Sequence, residues 1–136
     1  MKIAVVDGLG GGLGKAIIQR IRAHFKNDVE VVGLGTNSLA TANMIKGGAH
    51  CAATGENAIK VTSEKVDVIV GPIAIIAANS MMGEITPVMA EAIASSSARK
   101  IILPLNRCNI YTVGTRELSL SEMINLVIEE LKKCEI

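Results

Sequence analysis

Short, uniformly aliphatic runs alternate along the chain with stretches whose apolar residues recur every three or four positions. Residues 2–6 open with Lys2 and continue Ile-Ala-Val-Val, a run typical of a strand covered on both faces. Leu13, Ile17, Ile18, Ile21 and Phe25 then recur at helical spacing, with Lys15, Gln19, Arg20, Arg22 and Lys26 largely outside that stripe. Asn27-Asp28 breaks this helix, and residues 29–34 form a second strand. Residues 38–46 predict a short helix stopped at Gly47-Gly48. A brief strand over 49–53 and a helical turn reaching Val61 follow.

The second half repeats the alternation. Residues 66–70 are a strand ended by Gly71-Pro72, with Pro72 suited to the first position of a helix or turn. Residues 86–95 predict a helix in which Ile85, Val88, Met89, Ala92 and Ile93 share a face. Residues 100–103 are a further strand closed by Pro104, and a last extended piece is expected near residues 110–113. Ser119-Leu120-Ser121-Glu122 is a capping box, and Leu120, Met123, Ile124, Val127, Ile128 and Leu131 form the buried stripe of the final helix. Repeated strand-then-helix units imply an α/β fold: a doubly wound, mostly parallel sheet with helices on both faces. No internal repeat or linker divides the 136 residues, so a single domain over 1–136 is expected.

Composition narrows the function. The chain is 49% hydrophobic but 1% aromatic, so its core must be aliphatic and it lacks base-stacking surface. Net charge is +1 with no basic stripe, which argues against nucleic acid and anionic membranes as partners. The longest uncharged run, residues 68–83, is too short for a membrane span and is interrupted by Gly71, Pro72, Asn79 and Ser80. Cys51, Cys108 and Cys134 are an odd, widely spaced set, against a disulfide framework. Met1-Lys2 leads directly into a strand rather than a secretory leader, so the expected location is cytoplasmic. Residues 73–82 are apolar all round, a pattern of deep core or of an oligomer contact; a homo-oligomer through this stretch is expected.

The most informative segment follows the first strand. Gly8, Gly10, Gly11, Gly12 and Gly14 fill five of seven positions, ahead of Lys15 and an amphipathic helix. Glycines let a phosphate approach unshielded N–H groups, and a helix N-terminus adds the positive end of its dipole. In such sheets ligands bind beyond the carboxyl ends of the strands, where strand order reverses. A nucleotide or dinucleotide phosphate is therefore expected at Asp7, Gly8, Gly10, Gly11, Gly12, Leu13, Gly14 and Lys15. The alternative is a tight strand-to-helix turn that uses glycine only for packing. Asp7 can bind a ribose, a metal or an amine, or can accept the loop's own N–H groups and shape the turn.

The identity of the nucleotide stays open. Gly8, Gly12 and Gly14 give Gly-x-x-x-Gly-x-Gly, which resembles the cofactor loop of short-chain dehydrogenases. The Tyr-x-x-x-Lys pair of that family is missing, because Thr115 stands four residues after Tyr111. No acid follows the second strand to meet ribose hydroxyls; Thr36, Asn37 and Ser38 stand there and can donate to the 2′-phosphate of NADP, or Ser38 can cap the helix. Gly11-Gly12-Leu13-Gly14-Lys15 also resembles the deviant Walker motif of partition ATPases. Ala16 stands where that motif needs a Mg²⁺-holding hydroxyl, and Gly10 where it needs its signature lysine.

Polar residues at the remaining strand ends complete the expected rim: Thr54, Glu56, Asn57, Asn79, Ser80, Asn106, Arg107, Cys108 and Asn109. Arg107 is the candidate phosphate or carboxylate clamp, and any catalysis would use residues 106–109. His50-Cys51 and Cys108 lack metal-ligand spacing, and both cysteines are expected as small buried hydrophobes. Asp-Gly-x-Gly-Gly-Gly-x-Gly-Lys, Val-Ile-Val-Gly-Pro at 68–72 and Leu-Pro-Leu-Asn-Arg-Cys at 103–108 together resemble a family of short bacterial proteins known as a domain of unknown function. The resemblance spans nearly the whole chain. It implies a stand-alone small protein of bacterial origin, to which the alternation above gives a Rossmann-like three-layer α/β/α fold, and it assigns no catalytic residue.

Overall fold

The computed structural model describes residues 1–105 and 109–134. The elements run β1 (Lys2–Asp7), α1 (Gly12–Phe25), β2 (Glu30–Gly35), α2 (Ser38–Lys46), β3 (Cys51–Thr54), α3 (Glu56–Ser63), β4 (Val68–Pro72), a 3₁₀ turn (Ile73–Ile76), α4 (Pro87–Ser95), β5 (Arg99–Leu103) and α5 (Leu120–Lys133). The five strands form one sheet, ordered β3-β2-β1-β4-β5, and every neighbouring pair is parallel. This is the strand order of a doubly wound fold. The chain builds outward from β1 to β3, crosses back, and builds β4 and β5 on the other side. Strand order thus reverses between β1 and β4.

Both faces of the central strands are buried because a helical layer covers each. Ile3, Val5, Val68 and Val70 point to the face packed by Ile17, Ile18 and Ile21 of α1 and Ile124, Val127 and Leu131 of α5. Ala4, Val6 and Ile69 meet Ile59 of α3, Met89 and Ile93 of α4, and Ile75. Each fully buried aliphatic side chain contributes about 1.5–3 kcal/mol relative to exposure. The uniform apolar runs of β1 and β4 follow from this double coverage. Helix α5 starts with the capping box: Ser119 Oγ accepts from Glu122 N, and Glu122 Oε1 accepts from Ser119 N.

Some boundaries shift for local reasons. β3 begins at Cys51 rather than at 49, because Ala49 N–H still donates to Met44 at the end of α2. Residues 110–113 form no strand; Thr115 Oγ1 donates to Thr112 O in a turn completed by Gly114 at φ 88°. The 73–82 stretch, expected at an oligomer contact, is divided. Ala74, Ile75 and Ser80 are buried, whereas Ile76 and Met82 are exposed. Core packing accounts for Ala74 and Ile75, and Ile76, Ala78 and Met82 stay exposed. Among the described residues, no helix is long and apolar enough to cross a membrane.

Candidate functional site

The glycine loop joins β1 to α1 at the carboxyl edge of the sheet. Gly11 is the N-cap of α1 at φ 72°, a left-handed conformation, and a Cβ there would meet the Ala40 backbone at 2.5 Å. Gly14 faces Asp7 and Met44, where a Cβ would lie 2.9 Å from both side chains; the missing side chain lets α1, α2 and β1 pack closely. Gly8 is crowded by Met81 Sδ and Thr36 Oγ1, each 2.6 Å from where its Cβ would be. Three glycines thus have packing reasons.

Gly10 and Gly12 do not. A Cβ built on either meets nothing within 4 Å. Their N–H groups, and that of Leu13, have no hydrogen-bond partner among the described residues. Gly12 and Leu13 are the first two residues of α1, whose leading N–H groups have no intrahelical acceptor. All three line a cavity of about 380 Å³ between the ends of β1 and β4. Its opposite wall is Pro72, Ile73 and Ala74 after β4, with Met81, Leu105 and Leu120. This is the crevice at the reversal of strand order.

Asp7 is buried at the floor of the loop. Its Oδ1 accepts from Gly8 N at 2.8 Å and its Oδ2 from Gly14 N at 2.7 Å. The carboxylate therefore shapes the turn and takes one leading N–H of α1. Lys15 lies on the far side: its Cγ sits where a Cβ on Gly47 would touch it at 3.2 Å, and it does not line the cavity.

The β2 side of the loop is tied down. Asn37, rather than Ser38, is the N-cap of α2, its Oδ1 accepting from Ala40 N at 2.9 Å. Asn37 Nδ2 donates to Leu9 O at 2.9 Å and to Glu84 Oε1 at 2.8 Å, and Asn43 Nδ2 donates to Gly10 O at 2.6 Å. Glu84 Oε1 also accepts from Thr36 Oγ1 at 2.5 Å and from Leu9 N at 2.9 Å. Chiefly the Thr36 hydroxyl, helped by Leu9 N–H and the Asn37 amide, holds the Glu84 carboxyl below 4.5, against the opposing pull of partial burial. Thr36 and Asn37, expected as donors to a 2′-phosphate, thus donate to a carboxylate of the protein itself. Ser38 is exposed at the start of α2.

Thr54, Glu56 and Ser80 of the expected rim are paired within the protein. The Thr54 and Thr41 hydroxyls pair at 2.6 Å, Glu56 Oε2 accepts from Thr86 Oγ1 at 2.6 Å, and buried Ser80 Oγ donates to Ala74 O at 2.5 Å. Asn57, Asn79 and Asn109 are exposed. Asn106, Arg107 and Cys108 lie outside the described residues. Cys51, expected buried, is exposed on the edge strand β3. His50 lies at the opposite edge of the sheet from the loop, where its Nδ1 accepts from Val31 N at 3.0 Å and its ring meets Arg22. Among the described residues, no group of three or more His, Cys, Asp or Glu could hold a metal ion.

The residues that sequence reading missed are Glu84 and the apolar wall. Gly71-Pro72, marking the end of β4, was the available signal for the wall; nothing local marked Glu84. Asp7 is the one ionisable side chain among the described lining residues, the rest of which present glycine backbone and apolar side chains.

Comparison with solved structures finds remote likeness in chain path. A dodecameric FMN-dependent UbiX-like decarboxylase from Escherichia coli O157:H7 is 14% identical, with 97% of this chain and 76% of that chain covered and a TM-score of 0.49. A nucleoside-diphosphate-sugar epimerase from Pseudomonas aeruginosa is 15% identical, with 96% of this chain and 46% of that one covered at 0.47. A universal stress protein in complex with cAMP is 14% identical, with 74% and 94% covered at 0.42. No curated protein matches the chain. A family model does match, over residues 2–135, and the chain belongs to that family, described as Domain of unknown function (DUF3842).

Proposed function

We propose that the protein binds a small phosphorylated molecule, a nucleotide phosphate, with the phosphate on the N–H groups of Gly10, Gly12 and Leu13. The observation that supports this reading most is that Gly10 and Gly12 have open space around them and N–H groups unpartnered among the described residues, beside a cavity. Glycine at the first turn of a helix costs up to about 1 kcal/mol relative to alanine, and no contact among the described residues requires it at position 12. A ligand that must approach the backbone supplies a reason. The dipole of α1 favours an anion at the same place, and Asp7 leaves the N–H groups of Gly12 and Leu13 available. Ile73, Ala74, Leu105 and Leu120 offer an apolar wall for a base or ring.

Thermal melting of the protein with AMP, GMP, FMN, coenzyme A, NADP and inorganic phosphate tests this. A ligand at a hundred times its dissociation constant adds about 2.7 kcal/mol, a shift of several degrees for a chain of this size. We expect a shift with at least one nucleotide and its loss in Gly12→Val. A second reading is a non-enzymatic oligomeric sensor or assembly module with a structural loop, favoured by the packing reasons for Gly8, Gly11 and Gly14. Absence of any shift, together with a multimeric mass in solution, would select it.

A further inference from the structure

The loop over residues 79–85 closes one side of the crevice by an unusual conformation. Asn79, Met81 and Met82 have φ of 65°, 55° and 57°, followed by Gly83 at 90°. Left-handed backbone costs an L-residue roughly 1–2 kcal/mol, so three such residues persist only where surrounding bonds hold them. Those bonds are present. Asn79 N donates to Ile85 O at 2.7 Å, Ile85 N to Ser80 O at 3.2 Å, and Glu84 N to Met81 O at 3.1 Å. Ser80 is anchored to Ala74, and Glu84 bridges the glycine loop and the β2–α2 turn through one oxygen.

The strap therefore lies over the end of β2, with Met81 Sδ against Gly8. In a doubly wound dinucleotide site that place holds a ribose, met by an acid following β2. Here the place is filled: Thr36 and Asn37 are paired to Glu84, and a second phosphate would face that carboxylate. The β4 side of the same loop holds the open cavity.

Resting on the nucleotide reading above, we propose that this strap is a size selector, confining the site to mononucleotides and excluding dinucleotides. Met81 supplies the bulk that excludes the second nucleotide, and Glu84 holds the strap down. Their roles are separable, since Met81→Gly removes the bulk where glycine tolerates the positive φ, while leaving Glu84 in place.

Calorimetric titration of the full chain with AMP, FMN, NAD, NADP and inorganic phosphate, alongside Met81→Gly and the Met81→Gly/Glu84→Ala double variant, is the test. The wild type is expected to bind a mononucleotide at least about tenfold more tightly than either dinucleotide. Trimming should bring that ratio to within about threefold by strengthening the dinucleotides. Should the double variant not fold, the single variant carries the measurement. Equal wild-type affinities for the two classes, or an unchanged ratio after trimming, would overturn the selector and leave nucleotide binding standing. Dinucleotide binding that appears only after trimming would support it. Silence of every form toward all four ligands and inorganic phosphate would remove the nucleotide reading, and the selector with it.

Discussion

The two sides of the glycine loop are built from the same stretch of chain and end differently. Toward β2 and α2, the loop is pinned by Asn37, Asn43 and Glu84 and crowded by Met81 and Ala40. Toward β4, Gly10, Gly12 and Leu13 face a cavity with their N–H groups unpartnered among the described residues. Glycine thus serves two purposes within seven positions. On the closed side it makes room for the Ala40 backbone and for the side chains of Met81, Thr36 and Met44; on the open side it leaves space. The motif alone looks uniform, and only the neighbours separate its members.

Substitutions along the loop should reproduce that division, beginning with the most damaging. Gly11→Ala combines a left-handed φ with a Cβ against the Ala40 backbone and should cost about 3 kcal/mol or more in urea denaturation. If it proved neutral, the packed side would be looser than described. Asp7→Asn keeps the shape but turns an amide N–H toward one of two N–H donors. About 2 kcal/mol of destabilisation is expected, with a smaller midpoint and an unchanged slope.

Glu84→Gln acts on the closed side and through pH. Its carboxyl is held below 4.5 in the folded state, so its stabilisation is present above that value and fades as pH falls through the lowered pKa. The glutamine variant should melt slightly lower than wild type at pH 7, and the difference should shrink on acidification. A gap that widened toward acid would contradict the latch. The smallest effect belongs to the open side: Gly12→Val should alter stability by less than about 1 kcal/mol, since its Cβ meets nothing. A large loss there would erase the distinction between the two sides.

Much of the fold was legible because its signals are local. The uniform run of β1, the stripe of α1 through Ile17, Ile21 and Phe25, and the Ser119–Glu122 capping box each span one or two turns of chain. Helix α2 occupies the residues its periodicity predicts, 38–46. Its cap was misassigned by one position because Asn37 and Ser38 are both good caps, and the choice depends on what the Asn37 amide finds beyond the helix. Within the 73–82 stretch, sequence does not reveal that Ala74 and Ile75 are buried while Ile76 and Met82 are exposed.

The glycine loop was legible as a place, and its partition was not. The sequence by itself determined the alternation of strand and helix, the aliphatic core and the position of the loop at the end of β1. Side-chain periodicity and capping chemistry act over a few residues, so they can be read in order along the chain. Tertiary structure decided which glycines are packed, which N–H groups face a cavity, and which acid sits beside β2. Leu9 and Glu84 meet across 75 residues, and Thr36 and Glu84 across 48. Such contacts depend on the sheet bringing β2, β1 and the segment after β4 to one edge, and no pattern within either segment encodes them.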